Sequence, residues 1–69
     1  MNAEAQQDLS SAFYVTGRVQ QASGDPAAAS VNFRKAIGIL ELLLAAHPEN
    51  VEVAADLENA RRGLAETTR

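Results

Sequence analysis

Few residues of this 69-residue chain are of a type that does chemistry. His47 is the single histidine and there is no cysteine, so no imidazole pair, thiolate nucleophile or Cys/His zinc set can be assembled. His47 stands beside Pro48 at the end of a helical pattern, where an imidazole interacts with the helix dipole. Carboxylates recur at i,i+4 spacing as Glu4/Asp8 and Glu52/Asp56. Such a pair can in principle grip a cation, but the same spacing describes a solvated helix face, and that is the reading taken. Ser10, Ser11 and Thr16 have no base to activate them. The single glycine of Gly24-Asp25-Pro26 makes a turn, not a phosphate-cradling loop. No enzymatic activity, metal or cofactor is expected.

Composition narrows the partners. Nine acidic and six basic residues give a net charge of −3, and the basic residues do not form the stripe that phosphate binding needs, so nucleic acid is not expected. Arg34, Lys35, Arg61 and Arg62 are read as solvated charge on outer helix faces, with a rim that steers an acidic partner as the sharper alternative. "MNAEAQQDLS" has neither a basic start nor an apolar run, so no secretion signal is expected. Leu42 to Ala46 is far shorter than the roughly 20 apolar residues of a membrane span. A soluble, cytoplasmic protein without a membrane partner follows as an expectation. The missing cysteine suits a reducing compartment and leaves helix packing or association as the routes to stability.

The elements that must position any site are helices. Alanine is frequent, and two prolines and four glycines are the only breakers,. A first helix is expected from Ala3 to Ala22, with Leu9, Ala12, Phe13, Thr16, Gly17 and Gln20 as its inner stripe. Val15, Val19 and Ala22 form a second apolar line. Gly24 suits a left-handed helix end, Asp25 an N-cap and Pro26 a first helical position. The second helix runs from Pro26 to about His47, with Ala29, Phe33, Ala36, Ile37, Leu40, Leu43 and Leu44 inward. Gly38, in its middle, is expected to let a neighbouring helix approach. Pro48 stops that helix and Asn50 caps a third, whose inner face is Val53, Leu57, Ala60 and Leu64. The "ETTR" tail is expected to fray.

Phe13, Gly17, Gly24, Asp25, Ala29, Phe33, Ala36 and Ile37 together resemble the tetratricopeptide (TPR) repeat motif. Thr16 and Gln20 depart from it, standing where the motif prefers a large aliphatic and an aromatic residue. The second helix is about two turns longer than the standard repeat. In this, "GDPAAASVNFRKAIGILELLLAAHPENVEVAADL" is similar to an extended bacterial form. Asp8-Leu9 and Ala12 recur 48 positions on as Asp56-Leu57 and Ala60. The resemblance implies one all-α domain over 1–69: an antiparallel helical hairpin at about 8–50 and a capping third helix at about 51–66. Three-helix domains of the microtubule-interacting-and-trafficking (MIT) type, which bind a partner helix, have similar patterning and are the alternative.

The resemblance also implies a function, a protein-interaction module whose first helix lines the concave, ligand-binding side. That places Ser11, Tyr14, Arg18 and Gln21 on the binding face, and their spacing puts them on one helical stripe as well. Tyr14 offers an amphipathic anchor, and Arg18 a fork for an acidic or C-terminal carboxylate. Val31, Ile39, Leu42 and Ala46 lie off the inner stripe of the second helix, as Val15 and Val19 do on the first. Apolar side chains so placed mark an association surface. A homo-oligomer is therefore expected, a dimer by preference, either beside peptide binding or as the chain's main, structural role.

Overall fold

Asn2, Asp25 and Asn50 each turn a side-chain oxygen back onto the first turn of a helix. The computed structural model describes residues 2–68, which form α1 (Ala3–Ala22), α2 (Pro26–Ala46) and α3 (Val51–Thr67). Asn2 accepts from the Glu4 amide at 2.9 Å, Asp25 from Ala28 at 3.2 Å and Asn50 from Val53 at 3.1 Å. Each cap satisfies a donor that has no partner within the helix. Pro26 occupies the first turn of α2, where its missing N–H costs nothing,.

The turns are equally local in origin. Gly24 has φ +82°, which frees the Asp25 amide to reach the Gln20 carbonyl at 2.9 Å and its own amide to reach Gln21 at 3.2 Å. These two bonds are the Schellman closure of a helix end. Pro48 blocks continuation of α2, and a bond from the Asn50 amide to the His47 carbonyl (3.0 Å) reverses the chain,. Two such turns make an all-α antiparallel hairpin with a third helix packed against it. Among the described residues no helix is long and apolar enough to cross a membrane.

α2 lies between the other two helices. Ala36, Leu40, Val53, Leu57 and Ala60 form a buried cluster, with Phe13, Tyr14, Ile37, Leu43 and Leu44 packed against it. Full burial of a Leu or Val side chain contributes about 1.5–3 kcal/mol. Phe33 and Ala29 are fully buried, and the Phe33 ring contacts Tyr14 with centroids 5.7 Å apart. A β-carbon on Gly17 would stand 2.9 Å from Cε1 of Phe33, and one on Gly63 would stand 2.8 Å from its Cζ. α1 and α3 therefore press bare backbone onto the same edge of one ring. The molecule measures 34 × 20 × 14 Å, and its smallest dimension is about that of two packed helices.

Four expectations need correction. Leu9, Ala12 and Thr16 are exposed, Leu9 at 44%. The inner side of α1 is instead Ser10, Phe13, Tyr14, Gly17 and Gln20. Gly17 must face Phe33, and that requirement outweighs the leucine. Ser10 tolerates burial because its hydroxyl donates to the Gln7 carbonyl at 2.7 Å,. Gly38 is exposed with open space around it and admits no neighbouring helix. α3 extends through Glu66 and Thr67 rather than ending before the "ETTR" stretch, of which Arg69 lies outside the described residues. The hydroxyls of Thr67 and Thr68 accompany them by donating to the Leu64 carbonyl at 2.8 and 3.1 Å. Leu64 itself is half-buried rather than fully inside.

Phe33→Ala is expected to destabilise the fold by about 3–5 kcal/mol, read as the loss of a cooperative thermal transition. An unchanged midpoint would contradict the burial of the ring. The two glycine environments give opposite signs. Gly38→Ala should stabilise by about 1 kcal/mol through helix propensity alone. Gly63→Ala should destabilise by about 1–3 kcal/mol despite the same propensity gain, because the rigid ring cannot yield. Urea denaturation of both variants checks the contrast.

Candidate functional site

Ser11, Tyr14, Arg18 and Gln21 follow one another along α1 on the side nearest α3, but they are not equally free. Ser11 and Arg18 are exposed. Tyr14 is half-buried, its ring tilted 51° against Phe33. Gln21 is also half-buried, and its amide donates to Glu66 of α3 at 3.2 Å. The Gln21–Glu66 bond spans the two helices near their C-terminal ends.

Nearer the middle of the helices a cleft of about 140 Å³ lies between α1 and α3. Ser10, Ser11, Tyr14 and Val15 line it from α1, Asp56 and Asn59 from α3, and Leu40 of α2 closes its floor. Two of the four expected binding residues, Ser11 and Tyr14, are therefore at the cleft, while Arg18 and Gln21 lie further along. The cleft presents an apolar floor under hydroxyls, a carboxamide and a single carboxylate. Ser10 is held by its bond to Gln7, and Asp56 is the one ionisable carboxylate that shares the cleft with Ser11. Such a set holds a ligand by shape, hydrogen bonds and one charge.

Asp56 and Asn59 did not emerge as site residues from the sequence. Asp56 attracted notice as the partner of Glu52 in an i,i+4 pair and as part of the recurring Asp-Leu. Their i,i+3 spacing already puts the two on one face of α3, but which face meets α1 depends on the docking of the third helix. Among the described residues no group of three or more His, Cys, Asp or Glu is placed to hold a metal ion.

A second, more apolar cleft of about 350 Å³ opens on the other side of the hairpin. Ile39, Leu42, Leu43, Ala46 and His47 of α2 and its cap line it with Ala3 and Gln6 of α1. Three of the four expected self-association residues, Ile39, Leu42 and Ala46, thus share one surface. Val31 is 49% exposed and stands outside that cleft; Leu42 is 76% exposed. His47 caps α2 and approaches Glu49 at 3.6 Å.

The remaining charges are mostly engaged at the surface. Arg61 meets Glu41 at 2.9 Å and Arg62 meets Glu58 at 3.5 Å. Both pairs are more than half exposed, so each is worth at most about 1 kcal/mol. Lys35 of α2 lies 5.4 Å from the centre of the Phe13 ring, covering that aromatic face with a cation. Arg34 is exposed. Comparisons with protein-family models, curated proteins and solved structures return no match, so the reading of this site rests on its own geometry.

Proposed function

We propose that this chain is a non-enzymatic protein-interaction module of TPR type that binds a peptide or partner protein through the α1–α3 face and also self-associates. The observation that carries the reading is the cleft between α1 and α3. It is a concave site with an apolar floor and a hydrogen-bonding rim, on the side to which the repeat motif assigns ligands,. Its size suits side chains of an extended segment. In this reading the protein resembles the extended bacterial repeat and works in the cytoplasm.

Self-association has its own support. Leu42 at 76% and Val31 at 49% exposure leave large apolar side chains in water, and Ile39 and Ala46 extend the same side toward the second cleft. Covering a large side chain gains about 1.5–3 kcal/mol, and an isologous pairing of α2 with α2 covers the same residues twice. A chain this small, burying only about 60% of its unfolded surface, has much to gain from that contact. If the chain's role is purely structural, this surface alone is the functional one.

Two measurements separate these roles. Titration of a peptide with an acidic, free C-terminus into the labelled protein should move the resonances of Ser11, Tyr14, Arg18 and Gln21. If all four stay in place, the assignment of the binding face to α1 is wrong. Sedimentation should show a dimer for the wild type and a monomer for Ile39→Glu, Leu42→Glu. A wild type that remains monomeric at high micromolar concentration removes self-association. A dimer that survives the double substitution points instead to exchange of α3 between chains.

A further inference from the structure

The charges around the α1–α3 cleft are sorted by position. On α1, Glu4, Asp8, Ser11 and Val15 stand at i, i+4, i+7 and i+11, so they share the stripe whose last two members line the cleft,. On α3, Glu52, Asp56 and Asn59 do the same, and again the last two line the cleft. Two acidic stripes therefore flank the approach to one small cavity from the N-terminal side. Among the described residues, none of these four carboxylates makes an ion pair or a side-chain hydrogen bond.

The cations are placed elsewhere. Arg61 and Arg62 are paired with Glu41 and Glu58, and Lys35 lies over Phe13. Arg18 lies beyond the cleft, toward the end that the Gln21–Glu66 bond spans. At the cleft itself Asp56 is the only charged residue, and it is half-buried. Leu40 is buried beneath the cleft, the half-buried Tyr14 ring forms part of its wall, and Val15 lines its exposed rim. A volume of about 140 Å³ is well under the roughly 300 Å³ at which sites for whole small molecules begin, and it fits one long side chain. An apolar shaft with a carboxylate at its mouth complements a side chain made of a methylene stem and a cationic head. The tyrosine ring adds a surface that attracts cations.

We propose that the Asp56 cleft receives the side chain of a lysine or arginine carried on an extended, basic segment of a partner protein. The proposal rests on the reading of the α1–α3 face as a peptide-binding face and specifies its ligand. Glu4, Asp8 and Glu52 steer the segment and favour further basic residues on it. Arg18, at the far end of the same stripe, sets the polarity: the basic part of the segment lies over the N-terminal halves of α1 and α3, and its acidic or C-terminal part lies toward Arg18.

The test uses three capped or free peptides on the whole chain, followed by amide and side-chain resonances. The first is a capped Ala-Lys-Ala-Lys-Ala peptide. The second has glutamine for each lysine. The third is acidic with a free C-terminus. The lysine peptide should move Ser11, Tyr14, Asp56 and Asn59, with an affinity that falls as salt is raised. The glutamine peptide should leave them in place. Asp56→Asn should weaken the lysine peptide about tenfold, the loss of one charge-assisted hydrogen bond. Ser11→Lys, an exposed change that adds a cation at the mouth, should weaken it comparably while helix content stays unchanged. Lysine-peptide shifts indifferent to both substitutions mean diffuse attraction to acidic surface and overturn the proposal. Shifts at Arg18 and Gln21 with the acidic peptide, and none at Ser11, Tyr14, Asp56 and Asn59 with the lysine peptide, also overturn it but leave the peptide-binding reading intact. Silence with all three peptides overturns both.

Discussion

The ring of Phe33 reaches from α2 to both other helices, and its Cε1 and Cζ atoms occupy the space that a β-carbon on Gly17 or Gly63 would need. Most of the structure depends on that seat. The ring cannot be fully buried, as it is, unless two helices approach it at backbone distance, and two glycines make that approach possible. The cost of a glycine inside a helix, about 1 kcal/mol each relative to alanine, is offset by the 3–5 kcal/mol associated with a buried phenylalanine. Tyr14 packs at a tilt against the same ring, with centroids 5.7 Å apart, so the wall of the cleft leans on the residue that fixes its width.

A fold organised around one central helix has a consequence for function. α2 supplies the floor for both neighbours, and they meet each other over Phe33 and at Gln21–Glu66. Between those contacts and the N-terminal ends of α1 and α3 the cleft is left over Leu40. Among the described residues no element covers the outward side of α2, which is why Leu42 and Val31 stand in water. The concave cleft and the exposed apolar side thus have one origin, a three-helix unit with too few layers to enclose its middle helix.

The parts legible in the sequence are those whose physics is local. Asp25 and Asn50 act within three residues of themselves, Gly24 within one turn, and the helix limits followed from them. The inner face of α2 was also legible, since Ala29, Phe33, Ala36 and Leu40 keep strict helical spacing. The inner face of α1 was not. Leu9 advertises burial by type, whereas Ser10 is the buried neighbour, because the face is chosen by where Gly17 must meet Phe33. The roles of the glycines were similarly hidden. Gly38 was expected to admit a neighbouring helix and Gly63 drew no reading, and only the docking of α3 shows that the first faces solvent and the second a ring. Asp56 and Asn59 became cleft residues for the same reason. Their stripe was visible, but the identity of the helix beside it was a tertiary fact.

The central claim is that one aromatic edge sets the separation of α1 and α3 and so the width of the cleft. The chain has no cysteine, so nitroxide labels can be placed uniquely at Ser11→Cys and Asn59→Cys, on opposite sides of the cleft. Electron paramagnetic resonance would then report the inter-label distance directly, in the wild-type background and with Gly63→Ala added. A single narrow distance that lengthens when the methyl group displaces α3 from the ring is the result this account predicts. A distance unchanged by that methyl group, with helix content intact in both proteins, would contradict it.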